Sequence, residues 1–156
     1  DATNPEAVKR IYDIKKRADN KSMLVLLDDA GKIASYADVP DIALDLIEVA
    51  DKPTTIIYPG AKRLAPNLIA EDGTIGIRIT REEFTRSLIF RYNKPIVSTS
   101  ANISGEPSPH FFGEISEEIK NAVDYIVDYR RNDHKPAAPS SIIKLGMGGE
   151  IQIIRK

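Results

Sequence analysis

The chain contains no cysteine, no tryptophan and only two histidines among its 156 residues. Without thiols there can be no disulfide and no thiolate metal site, which fits a reducing compartment. His110 and His134 have no ligand spacing around them, so no metal site built from protein side chains is expected. No apolar run approaches the about 20 residues that a membrane helix needs. The polar opening "DATNPEAVKR" shows no secretory leader, and a cytoplasmic protein without a membrane partner is expected. An excess of charge is missing too: 22 Lys and Arg against 23 Asp and Glu leave a net charge of -1. Any attraction to nucleic acid must therefore come from a local patch.

What is present is ordinary globular material, 42% apolar and 29% charged, at a length that suits one domain with a real core. Asn4-Pro5-Glu6 reads as a helix start, with a capping amide, proline at the first helical position and an acid in the first turn. Ala7, Val8, Ile11 and Ile14 continue it as an apolar stripe towards "KKR". "MLVLL" (23–27) and "TTIIY" (54–58) read as strands, with a helix over 40–50 between them. "GTIGIRI" (73–79) alternates, so Ile75, Ile77 and Ile79 share one face while Thr74, Gly76 and Arg78 share the other. A helix over 82–92, a strand at "PIVST", a helix at "EISEEIKNAV" and a strand at "DYIVDY" (124–129) follow. "SSIIKL-GMGG-EIQIIR" closes the chain as a hairpin. Strands interleaved with helices predict a single α/β domain on a mixed, twisted open sheet with helices packed on it. Parallel neighbours are expected in its middle and the hairpin at an edge.

The unusual stretch is "PIVSTSANISGEPSP" (95–109), where an apolar strand runs into five hydroxyl side chains and an amide. Ligands of open α/β sheets gather outside strand ends, and small polar groups there let phosphate oxygens approach closely. The same residues also favour a plain capping turn. Lys15 and Arg17, with Lys21 nearby, can hold a triphosphate or a carboxylate if the chain is already leaving the helix. Otherwise they offset the helix dipole. Thr74 and Arg78, about 13 Å apart along one strand face, flank Gly76, whose bare backbone invites a ligand or another chain segment. The plainer alternative is an edge strand with Arg78 paired to a surface acid. Asp28, Asp29, Glu117 and Glu118 read as solvated charges. No nucleophile–base–orienter trio is evident.

"PIVSTSANISGEPSP", the Lys-x-Arg of "IKKR" and "GTIGIRI", in this order, resemble the threonylcarbamoyl-AMP synthase (YrdC-like) family across essentially the whole chain. "ADKPTTIIYPG" and "PSSIIKL…IIRK" are weaker echoes of its Gly-Pro-x-Thr and Ser-Thr strands. The resemblance implies a YrdC-like fold and a nucleotidyltransferase that condenses L-threonine, bicarbonate and ATP into threonylcarbamoyl-AMP and pyrophosphate. Magnesium would accompany the ATP, and partner proteins would pass the product to tRNA. By matching positions, it implies that Lys15, Arg17, Ser100 and Asn102 are catalytic. Arg78, Ser98 and Ser140 would bind threonine, while Arg17, Lys21, Thr74, Ser100, Ser108 and Arg155 would bind nucleotide.

The family's Pro-Thr-acid-Thr-x-Tyr-Gly strand is expected ahead of Asp1, so the domain over 1–156 is expected to be N-terminally incomplete. Lys16, Ala18 and Lys52 stand where the family pattern has Gly, Pro and Gly, which alters loop geometry but not charge. A non-catalytic RNA- or nucleotide-binding module is the alternative, and a nucleotide-binding homologue that makes no product is a third reading.

Overall fold

A computed structural model describes residues 1–17, 23–136 and 139–156. Helix α1 (Pro5–Lys15) starts as the sequence predicts: the Asn4 side chain accepts from the amides of Glu6 and Ala7. It stops at Lys16, whose left-handed backbone (φ 49) turns its amide back to the carbonyls of Tyr12 and Asp13. Arg17 therefore leaves the helix directly after Lys15, the condition under which the two cations can share a side.

Six strands form one sheet: β1 (Leu24–Leu27), β2 (Thr54–Tyr58), β3 (Ile75–Ile79), β4 (Ile96–Ser98), β5 (Ser141–Leu145) and β6 (Ile151–Arg155). Their spatial order is β4-β1-β3-β2-β5-β6. The sheet is mixed, and its parallel neighbours lie among the four middle strands as expected, though an antiparallel pair separates them. The central pair β2–β3 is antiparallel, and the parallel pairs β1–β3 and β2–β5 lie on either side of it. The connection from β2 to β3 carries only a single 3-10 turn at Pro66–Leu68 and no crossover helix of the kind parallel neighbours use. The hairpin β5–β6 sits at an edge as expected.

One sheet face carries Val25, Leu27, Ile56, Tyr58, Ile75 and Ile77, which pack with Val8 and Tyr12 of α1 and with Ile33, Ala43 and Leu68. Burying side chains of this size contributes about 1.5–3 kcal/mol each. Helix α2 (Ile42–Val49) lends Ala43 to this core. Its last carbonyls are capped by Arg81, which donates to Ile47 and Ala50 at 2.8 Å each. Helix α3 (Glu83–Tyr92) buries Ile89, while Phe84 and Leu88 remain outside. The Glu82 carboxylate caps it by accepting from the amides of Phe84 and Thr85. Helix α4 (Glu117–Ala122) is short and is capped by Ser116. Among the described residues no helix is long and apolar enough to cross a membrane.

Two expectations fail here. Residues 124–129 form no strand. The carbonyls of Ile126 and Val127 are taken by the Arg131 guanidinium, and Tyr129 stacks on Phe84 with ring centroids 4.8 Å apart. Asp28 is not solvated. It is buried and held by Lys32, whose ammonium donates to both carboxylate oxygens at 2.9 Å.

Candidate functional site

The second face of the sheet carries the polar chemistry. In the strand register, Leu26 stands beside Arg78, and Ile142 beside Arg155. Thr55 pairs with Ile142, and the β2–β3 pairing of Ile56 with Ile77 carries Thr55 next to Arg78. One row across the face therefore reads Leu26, Arg78, Thr55, Ile142, Arg155. The row beside it reads Ser98, Leu24, Gly76, Ile57, Lys144. β3 is central, so the edge-strand explanation of its polar face does not hold.

Arg78 is half-buried, and it has no hydrogen bond or ion pair to the described residues. Burial lowers its pKa, and the nearby Arg155 guanidinium lowers it further. A guanidinium that is desolvated, faces a second one and lacks an acid is poised for an anion from outside. Gly76 keeps the floor beside it low. A Cβ there would meet Thr55 Cγ2 at 3.4 Å and Leu24 Cβ at 3.7 Å.

Arg155 Nε donates to the Ser140 carbonyl at 2.8 Å, and its Nη2 donates to Ser140 Oγ at 3.4 Å. Ser140 is buried, and its hydroxyl lies 2.9 Å from that of Thr55, also buried. Arg155 thus meets Ser140 directly and lies near enough to Arg78 for the two charges to interact. Thr55 completes the group, although it was not among the anticipated site residues; the Pro-Thr-Thr of "ADKPTTIIYPG" was its one signal in the sequence.

The serine-rich loop leaves the end of β4, where Ser98 is half-buried. Lys15 lies beneath this loop. Its side chain is buried, and its ammonium donates to the carbonyls of Ser100 at 2.5 Å and Asn102 at 2.6 Å. In return the Ser104 amide donates to the Lys15 carbonyl at 2.8 Å. Burial lowers the Lys15 pKa, and the charge of Arg17 adds to this. Lys15 therefore shapes the loop from below. The Asn102 amide group donates to the carbonyls of Ile103 and Glu106, holding the same loop. Ser100 and Ser108 are exposed on it.

Thr74 takes a different course. Its hydroxyl donates to Asp72 Oδ1 at 2.6 Å, and the other carboxylate oxygen accepts from Lys144 at 2.6 Å. These bonds, with that from Lys144 the largest contribution, pull the Asp72 pKa down to about 2. Lys21 lies outside the described residues. A cavity of about 340 Å³ at the end of β3 is lined by Arg78 together with Lys52, Thr54, Arg81 and Glu82. Ser140, Arg155 and the serine loop do not line it. No group of acids and histidines able to hold a metal ion occurs among the described residues.

Residues 1–156 match the Sua5/YciO/YrdC family model, described as "Telomere recombination". The chain belongs to this family. A Sua5/YciO/YrdC relative from Methanocaldococcus jannaschii, provisionally named a threonylcarbamoyl-AMP synthase, is 39% identical over 145 residues, covering 92% of this chain and 67% of its own. The crystal structure of P. abyssi Sua5 complexed with L-threonine superposes with a TM-score of 0.80 at 25% identity, over 92% of this chain. Full-length HypF in its phosphate- and nucleotide-bound form gives a TM-score of 0.80 at 25% identity, over 99% of this chain. This chain spans 42% of the Sua5 chain and 24% of the HypF chain.

Proposed function

We propose that this Sua5/YciO/YrdC domain is a threonylcarbamoyl-AMP synthase, joining L-threonine, bicarbonate and ATP with release of pyrophosphate. The observation that carries the reading is the half-buried Arg78 guanidinium, which lacks an acidic partner and stands beside Arg155 and the bare floor at Gly76. The name of the M. jannaschii relative and the threonine complex of P. abyssi Sua5 support it.

In this reading Arg78 takes the threonine carboxylate through paired N–H donors, with Ser98 and Ser140 bordering the amino acid. Arg155, Arg17 and the hydroxyls of Ser100 and Ser108 face the nucleotide, with Lys21 and Thr74 completing that side. Lys15 and Asn102 hold the loop that presents them. Adenylyl transfer forms an oxygen–phosphorus bond at the α-phosphate and expels pyrophosphate. Such a step is accelerated mainly by orientation and by fixed charges facing the developing negative charge. Magnesium would enter with the triphosphate as part of the substrate. The product would pass to partner proteins acting on tRNA in the cytoplasm.

The test is pyrophosphate release from ATP, measured with and without threonine and bicarbonate. Release should require both, and Arg78→Ala should sharply weaken the threonine-dependent release. Equal release with serine, or with no amino acid, overturns the threonine assignment. The equal likeness to HypF favours a second reading, a nucleotide-binding domain without threonine selectivity. In that case ATP binds but threonine leaves its affinity and turnover unchanged. RNA binding that survives Arg78→Ala and weakens with salt, without ATP turnover, would point instead to an RNA-binding module.

A further inference from the structure

Thr55 and Ser140 are 85 positions apart, and their buried hydroxyls meet at 2.9 Å. The Ser140 hydroxyl oxygen also accepts a hydrogen bond from Arg155 Nη2 at 3.4 Å, while the Ser140 carbonyl accepts from Nε at 2.8 Å. A hydroxyl carries one proton and two lone pairs, so Ser140 Oγ can accept from Arg155 and share a second hydrogen bond with Thr55 in which either hydroxyl donates. Thr55 Oγ1 is the side-chain hydroxyl within hydrogen-bond distance of it.

Thr55 is itself a stiff, β-branched side chain. Its methyl faces the Gly76 floor, 3.4 Å from where a Cβ would stand. Its backbone neighbours Arg78 across the β2–β3 pair. We propose that Thr55 is a positioning residue: it fixes the Ser140 hydroxyl, and Ser140 in turn holds the Arg155 guanidinium over the open face beside Arg78. The inference rests on the reading of that face as the substrate site.

The physical gain is preorganisation. Arg155 lies on an exposed strand and is close enough to Arg78 for the two like charges to interact. An untethered Arg155 would swing into solvent and would have to be ordered when an anion binds. Held by Ser140, it is ordered beforehand. Valine at position 55 keeps the shape and removes the hydroxyl, whereas serine keeps the hydroxyl and removes the methyl.

The direct test is solvent exchange of the Arg155 Nε–H, followed by nitrogen-edited NMR of the 156-residue chain. In Thr55→Val the exchange should accelerate by up to about tenfold, the upper scale of one neutral hydrogen bond lost. In Thr55→Ser it should return to within about threefold of the parent. The KM for ATP should rise about tenfold in Thr55→Val while kcat holds within about threefold, as for loss of ground-state binding. Exchange in Thr55→Val within about twofold of the parent, with the amide spectrum retained, overturns the inference. If Thr55→Val does not fold, Ser140→Ala gives the same readout, since it removes the hydroxyl that Thr55 is said to fix. Absence of threonine-dependent turnover in the parent chain would count against the proposed function. The exchange measurement would still decide the role of Thr55.

Discussion

Arg78→Met separates a residue that binds ligand from one that holds the fold, because the two roles predict opposite signs of stability change. Methionine keeps the length of the apolar stem and removes the charge. In the folded protein that charge is half-buried, without an acidic partner, and faces Arg155. Removing it relieves a desolvation cost and a like-charge contact, and gives up no hydrogen bond to the described residues. Relief of this kind is worth about 1 kcal/mol, in the range seen when strained functional sites are replaced. For a chain of this size the melting temperature should then rise by about 2–4 °C.

Activity should move the other way. Loss of a charge-assisted contact worth about 1.5–3 kcal/mol lowers kcat/KM for threonine by about 10- to 150-fold. Thermal unfolding followed by circular dichroism, paired with the pyrophosphate assay, measures both quantities on one preparation. A melting temperature that falls by about 2 °C or more would show that Arg78 supports the fold, and the reasoning about the open face would be refuted.

Other substitutions probe the surroundings. Lys15→Met leaves the carbonyls of Ser100 and Asn102 without their donor and should cost about 2 kcal/mol, with faster amide exchange in the loop after β4; unchanged exchange would refute the staple. The Lys15 pKa is lowered in the folded state, so the unfolded chain binds the extra proton as pH rises towards the ordinary lysine value of 10.5. This group's contribution to stability therefore grows over that window, and the stability difference between parent and Met variant should widen there in denaturant titrations. Gly76→Ala meets only ordinary contact distances and should keep stability within about 1 kcal/mol, since alanine also spends less backbone entropy than glycine. It should still raise the KM for substrate by crowding the floor, and an unchanged KM would remove Gly76 from the site. Asp72, with its pKa pulled down to about 2, stabilises the fold above the ordinary carboxylate value of 3.8, and the contribution is lost as pH falls through the depressed one. Because the pair with Lys144 is largely exposed, Asp72→Asn should flatten the acid limb of a stability–pH profile by only about 0.2–1 kcal/mol.

Local chemistry made much of the fold legible. Asn4-Pro5-Glu6 announced α1, the alternation of 73–79 announced β3 and its two faces, and the glycine-rich turn announced the closing hairpin. Pairing across the sheet was not legible, because register is set by tertiary packing and not by any one segment. The antiparallel centre and the meeting of Thr55 with Ser140, 85 positions away, are both of this kind. Residues 124–129 have strand-like composition, but Arg131 takes the carbonyls that a neighbouring strand would need. Asp28 looked solvated because nothing in the sequence shows that Lys32, one helical turn on, folds back over it. At the site, residue types forecast the cations and hydroxyls. They did not forecast that Lys15 would be spent on backbone carbonyls, since only the folded loop brings those carbonyls to it.

The bonds between the end of α1 and the serine loop run in both directions, ammonium to carbonyls one way and amide to carbonyl the other. Two segments fastened at both ends of the same lysine behave as one lever. The helix terminus and the loop at Ser100, Asn102 and Ser104 are thereby held at one spacing from each other, with no bond of this set passing through the sheet.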